Sequence, residues 1–339
     1  MKKILLSIVA LCCTVVAGAQ NSSQIVSAIL QTGDVTTIYY GQDALKNAYN
    51  AAVNGSVITL TSGLFNPPTD SNIQKSISIY GAGFEDNSAP GVVRTSIWGG
   101  INFLADTDGN PLYDVRLEGV FVNGNINVRD VQNLIIAKCY MGTLYFTETG
   151  VSGLEVRQSR INGDINLNNK LIGGLSVKNC HISGFVKYLL AGSQVSLDHC
   201  ILSARNTYDW DHAAVFYTNC IFRDNGGVHA NAYLERNVFV EIGGISNVTS
   251  IDNWFSVNLS TLFADGFTNM DYNESRTFEL ADPNEYKGTD GTPVGVTGGE
   301  YPWYKVPSIP YVKNLNATVE GTNLKVNYVA GVGSTNPQP

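Results

Sequence analysis

Apolar and polar residues alternate in short runs through the middle of this chain, and the runs recur at a near-constant interval. In LSVKNCHI, VSLDHCIL and VFYTNCIF the cysteines are Cys180, Cys200 and Cys220, 20 residues apart. Counted from each cysteine, apolar side chains fall five and three positions before it and two after it: Leu175, Val177 and Ile182; Val195, Leu197 and Leu202; Val215, Tyr217 and Phe222. The template also fits around Val120 (Val115, Leu117, Val122), Cys139 (Leu134, Ile136, Met141), Ser159 (Leu154, Val156, Ile161) and Asn237 (Ala232, Leu234, Phe239), with a looser copy from Ile251 to Phe255. The anchors 120, 139, 159, 180, 200, 220 and 237 are 19, 20, 21, 20, 20 and 17 residues apart. Period-two alternation predicts strands. A fixed interval predicts one supersecondary unit stacked on copies of itself.

A second strand follows several of these phrases. Asn123–Val128, Met141–Phe146, Asn162–Leu167 and Ser183–Tyr188 each place a glycine (124, 142, 163, 184) before two alternating apolar positions, which predicts a tight bend between two sheets. A unit of about 20 residues with two or three strands and no helix winds as a parallel solenoid, each strand pairing with its equivalent about 4.8 Å away. In that arrangement the stacked cysteines have parallel Cβ vectors spaced wider than a disulfide prefers. They are expected to be unbridged, small and apolar inside the stack.

Both ends of a solenoid need cover. Residues 43–52 predict a short helix with Asp43 near its cap and Leu45, Ala48, Tyr49 and Ala52 on one face. The strand Val57–Leu60 and the phrase from Ile73 to Gly83 then open the stack. After Pro307, residues 316–330 predict a hairpin turning at Glu320-Gly321-Thr322-Asn323. The expected organisation is therefore a leader at 1–19, a parallel β-helix with its cap at 20–306, a C-terminal hairpin at 307–330 and a disordered tail at 331–339.

The leader reading rests on Lys2 and Lys3, an apolar stretch from Ile4 to Val16, and Ala17-Gly18-Ala19 before Gln20. Leu11 before Cys12 argues against a lipoprotein signal. Export to the periplasm, cell surface or medium is expected, with no later run apolar enough to cross a bilayer. The whole chain carries a formal charge of -8. Losing two lysines with the leader makes that -10, with no basic cluster to neutralise phosphates, so a nucleic-acid partner is excluded.

The opening of the stack, a helix, Asn54-Gly55, an apolar strand, Gly63-Leu64-Phe65 and then KSISIYGAG (75–83), resembles the pectin-lyase-like right-handed parallel β-helix proteins over roughly residues 36 to 300. The stretch 288–299, GTDGTPVGVTGG, followed by Tyr301-Pro302-Trp303, is similar to the ending of secreted β-helix proteins from gut Bacteroidetes, many of them uncharacterised. The resemblance implies a right-handed all-β solenoid. Family members that cut acidic polysaccharides use clustered aspartates with calcium and a basic residue, or several aspartates as acid and base. Neither set maps onto this chain residue by residue.

The strongest local chemistry is Ser203–His212, SARNTYDWDH. Paired carboxylates near a basic group suit acid-base cleavage of a sugar polymer, and aromatic rings suit stacking on a pyranose. Asp209, Asp211 and His212 are the catalytic candidates; Asp198, His199, Arg205, Tyr208, Trp210 and His229 are the substrate-binding candidates. Against this, Asp and Asn in long turns commonly bond their own backbone. The row two before the anchor, Glu118, Ala137, Arg157, Lys178, Asp198, Thr218 and Glu235, predicts an ionic ladder between coils. His181 and His199 occupy different slots, so no histidine metal site is predicted. Asp106, Asp108 and Asp114 read as a solvated turn lacking the later glutamate of a calcium loop. No cofactor is expected, with calcium left open. Two functions stay open: binding of extracellular polysaccharide, with cleavage as its extension, and a noncatalytic structural or adhesive role with a surface-protein partner.

Overall fold

The structure is a computed structural model that describes residues 26–86, 93–148, 150–204, 214–224, 228, 230–241, 245, 247–303, 310–320 and 323–332. The leader reading at 1–19 lies outside these residues. The chain is an all-β parallel solenoid of about nine turns, built on three long sheets. The first sheet takes one strand per turn, from Val57–Leu60 and Ser78–Tyr80 through Leu154–Arg157, Leu175–Lys178, Val195–Asp198 and Val215–Thr218 to Thr249–Ile251. The second sheet has nine strands, from Gly63–Phe65 to Val238–Phe239, and the third has six, from Asn72–Ile73 to Val186–Lys187.

Register follows the anchor count. Leu117, Ile136, Val156, Val177, Leu197, Tyr217 and Leu234 are successive partners across the first sheet, so every anchor lands in one column. One step departs from the repeat: Ile79 pairs with Leu117, 38 residues on, because that turn carries extra chain between its strands.

The corner between the first and second sheets is a single left-handed residue just before each anchor. Gly119, Lys138, Gln158, Asn179, His199, Asn219, Arg236 and Asp252 have φ between 48° and 71°. That turn directs a carbonyl and an amide inward, where each needs a partner. The anchor side chain supplies it. Cys139, Cys180, Cys200 and Cys220 are fully buried, unbridged, and donate Sγ–H to the carbonyl two residues earlier at 3.2–3.3 Å. Ser159 Oγ does the same at 2.8 Å while accepting from Cys139 N at 3.1 Å, and Asn237 Oδ1 accepts from Cys220 N at 2.8 Å. In six of the seven coils, all but that of Val120, the slot holds a small side chain that hydrogen-bonds, and apolar character alone does not describe it. Burial pushes the Cys139 thiol up to about 12, so it stays protonated.

The glycines opening the third sheet also act differently from a simple bend. Gly142 N donates to Gly124 O at 2.7 Å and Gly184 N to Gly163 O at 3.0 Å. None of Gly124, Gly142, Gly163 and Gly184 has a positive φ. A Cβ on Gly124 would sit 2.7 Å from Gly100 N. Close approach of neighbouring coils is what demands glycine there.

The predicted helix is Ala44–Ala51 (α1), with Leu45, Ala48 and Tyr49 buried over the first turn. Asp43 sits at its cap position but accepts from Asn66 Nδ2 at 2.9 Å instead of capping. Two strands that the pattern did not announce, Ser27–Thr32 and Val35–Tyr40, pair antiparallel and extend the first sheet beyond Val57–Leu60. At the other terminus Pro310–Glu320 and Asn323–Val332 form the expected antiparallel hairpin. Its second strand includes Gly331 and Val332, two residues assigned to the tail, because they pair with Tyr311 and Pro310.

Candidate functional site

Asp209, Asp211, His212, Arg205, Tyr208, Trp210 and His229 lie outside the described residues. Asp198 and His199 lie at the end of a first-sheet strand and at its corner. The His199 side chain is 1% exposed, with Nδ1 3.0 Å from Asp198 Oδ1 and Nε2 3.1 Å from Thr292 Oγ1. A Cβ on Gly299 would come within 2.7 Å of His199 Nδ1, so the chain at 298–299 lies directly on the ring. Asp198 Oδ1 accepts from Thr218 Oγ1 at 2.9 Å and Asn219 Nδ2 at 2.8 Å. Burial works to raise the Asp198 pKa, but the His199 ring and these donors outweigh it and hold the carboxyl below its ordinary value. The pair is a corner fixture, and the His199 ring offers no open surface to a ligand.

What covers that corner is the C-terminal segment, which returns down the stack as a strap. Thr289 N donates to Asn219 Oδ1 at 2.8 Å, Asn179 Nδ2 donates to Val296 O at 3.1 Å and Gly298 O at 2.6 Å, and Gln158 Nε2 donates to Pro302 O at 2.6 Å. Corner residues 219, 199, 179 and 158 thus meet strap residues in rising order, which gives the 288–303 phrase its structural role. Beside this seam the outward second-sheet residues Ile201, Ile221 and Val238 are fully buried against Leu262, Phe263, Met270, Phe278, Val294 and Val296. His181 lies in the same covered row. Arg160 Nη1, which can only donate, lies 2.7 Å from its Nδ1, so Nε2–H donates to Met270 O at 2.8 Å. Burial first, and then the Arg160 charge, hold its pKa well below the ordinary value, so the ring is neutral.

The first sheet's outer face is different. Glu155, Ser176, Ser196, Phe216 and Tyr233 form one outward row in parallel register across five coils. Four of them, with Gln194, line an open groove of about 640 Å³ over Leu154, Leu175 and Val195. Gly153 and Gly174 bound it with no side chain to fill it. Phe216 is 50% exposed, and the Tyr233 ring is 5.8 Å away, tilted by 41°.

The adjacent row carries the charges, and here the expected ladder between coils gives way to pairs within a strand. Arg116 binds Glu118 at 2.6 Å and Arg157 binds Glu155 at 2.9 Å. Residues i and i+2 of a strand share a face, whereas Ala137 stands between Glu118 and Arg157 across the coils. Lys178 pairs with Glu300 of the strap at 2.8 Å, and the Tyr301 ring lies 4.4 Å from the Arg157 guanidinium. The groove row lies four before the anchors; counting outward two places further than the charged row would have found it.

Among the described residues no group of three or more His, Cys, Asp or Glu side chains is placed to hold a metal ion. Asp106 Oδ1 accepts from Asp108 N at 2.9 Å and Asn110 N at 2.7 Å, bonding its own turn. No described helix is long and apolar enough to cross a membrane. No family model matches the chain, and neither a curated protein nor a solved structure is significantly similar to it.

Proposed function

We propose that this solenoid is an exported glycan-binding protein whose binding surface is the outer face of the first sheet. The observation that carries the reading is the Glu155–Ser176–Ser196–Phe216–Tyr233 row, where half-exposed Phe216, with the partly buried Tyr233 beside it, continues a groove lined by Ser and Gln side chains. Aromatic rings bind sugar faces, while Ser and Gln both donate and accept, as sugar hydroxyls do. Equivalent side chains recur about every 4.8 Å along the stack, a spacing that suits an extended polymer. The leader-like residues 1–19 and the pectin-lyase-like opening motif support export and polysaccharide as the ligand.

Binding without cleavage fits the described residues best. Glu155 is held by Arg157 and Glu118 by Arg116, so neither acts as a free acid or base. The same observation favours, as a second reading, an adhesive or structural surface protein. Cleavage would rest on Asp209, Asp211 and His212, in the segment joining Ala204 to Ala214 just before the Phe216 strand.

One experiment tests the proposal. Purified protein is screened against plant and host polysaccharides with and without calcium, for retention and for new reducing or unsaturated ends. The expected result is retention on at least one polymer, lost in Phe216→Ala/Tyr233→Ala, with no new ends. Absence of retention across the panel, or retention indifferent to both aromatics, overturns it.

A further inference from the structure

We infer that the groove takes an uncharged glycan, and that polyuronates and sulfated polymers are poor ligands. This deepens the glycan-binding reading and rests on it. Glu155 is the one charged residue lining the groove, and it is an anion. Recognition of a carboxylate or sulfate group requires cationic or N–H donors aimed at it, with Arg and Lys the usual choice. The described residues lining the groove supply no such cation.

The cations nearest to the groove are already engaged. Arg157 is bound by Glu155 at 2.9 Å, Lys178 by Glu300 at 2.8 Å, and Arg116 by Glu118 at 2.6 Å. The Tyr301 ring lies 4.4 Å from the Arg157 guanidinium and 5.3 Å from Lys178 Nζ, a second partner for both cations. Further along the charged row stand Asp198, held ionised by its donors, and Glu235, which accepts from Tyr233 Oη at 2.7 Å. Among the described residues Arg116, Arg157 and Lys178 each have a carboxylate of their own, Lys138 beside Glu118 is buried, and Asp198 and Glu235 add further negative charge. The chain as a whole adds a net charge of -8.

A polymer carrying one negative charge per sugar therefore meets an acidic face on which the described residues leave no free counter-charge, and repulsion lowers both its encounter rate and its affinity. A neutral sugar loses nothing by that field. It gains stacking on Phe216 and exchange of hydrogen bonds with Ser176, Ser196 and Gln194.

The test uses the full folded chain and compares polygalacturonate with its fully methyl-esterified form, which keeps the backbone and removes the charge. Neutral glucan, xylan, mannan and galactan oligosaccharides are measured alongside. The expected result is that uncharged ligands bind at least about tenfold more tightly than polygalacturonate. Their affinity should be unchanged from low to high salt. Glu155→Gln, which removes the groove's anion and leaves Arg157 unpaired, should narrow the gap. Tighter binding of polygalacturonate, weakening as salt rises, overturns the inference while leaving the glycan reading intact. Retention of no polymer of either kind defeats the glycan reading itself, and the inference with it.

Discussion

The second sheet and the first sheet are made by the same turns of chain, yet one outer face is sealed and the other is open. Outward on the second sheet stand Ile201, Ile221 and Val238, each without exposed surface beneath the strap. Outward on the first sheet stand Ser176, Ser196 and ion pairs, with Phe216 half exposed among them. An apolar row on a strand requires cover, and the chain supplies it from its own C-terminal segment. A polar row requires none. Among the described residues the strap meets that face at Tyr301, beside Arg157 and Lys178, and Phe216 stays half exposed. The difference separates residues that hold the molecule together from those free to meet something else.

The most severe way to break the contrast is to release the strap. Arg276 is fully buried, with Nε 3.0 Å from Asp265 Oδ2, Nη2 3.2 Å from Asp265 Oδ1 and Nη1 2.6 Å from Asn269 O. Its guanidinium also lies 4.3 Å from the Phe278 ring. Arg276→Ala leaves the nearly buried Asp265 carboxylate without its counter-ion and with only the Phe267 N–H at 3.2 Å, an arrangement that costs up to about 3–5 kcal/mol. Denaturant unfolding with limited proteolysis should show residues 255–303 cut first while the solenoid keeps its far-UV signal. A loss below about 1 kcal/mol would mean that the strap is held elsewhere.

A gentler route is acid. His181 is neutral in the fold, with its pKa depressed by burial and by Arg160, whereas in the unfolded chain it titrates near 6.5. Below that pH the unfolded state binds a proton that the folded state refuses. Stability is thus fully present above 6.5 and falls by about 1.4 kcal/mol per pH unit beneath it, until the folded pKa is reached. Urea titrations between pH 7 and pH 5 check this, and His181→Gln should flatten that part of the slope. An unchanged slope in the variant would show that His181 is not the group involved.

The two faces were also unequally legible in the sequence. Strand, period and register followed from the apolar slots, because burial inside a repeating coil leaves a pattern that spacing alone reveals. The cysteine slot was read as apolar, although Ser159 and Asn237 occupy it too and signal a hydrogen-bonding need. The corner leaves no pattern in the sequence because Lys138, Gln158, Asn179 and His199 share a conformation and no chemistry. Ile201 and Ile221 outward of the second sheet gave a visible hint of cover, but the identity of the cover depends on contacts distant in sequence, such as Asn219 with Thr289, 70 residues apart. For the site, ionisable residues such as Asp209, Asp211 and His212 are what a sequence displays most plainly. Apart from Glu155, the groove is lined by Gly, Leu, Val, Ser, Gln and Phe, which carry no charge and so leave no motif.

The smallest expected change in stability is the one that decides what the open face is for. Phe216 has half its surface in water, with the Tyr233 ring 5.8 Å away, so Phe216→Ala should shift unfolding by no more than about 0.5 kcal/mol. Glycan retention should nevertheless fall about tenfold or more, since ring stacking is what the groove offers to a sugar. Calorimetric melting and affinity electrophoresis on the same preparation measure both quantities. A large stability loss would make Phe216 a packing residue and erase the distinction between the faces. Intact stability with intact binding would move the ligand off this sheet altogether, because no other described side chain in the groove presents an aromatic surface.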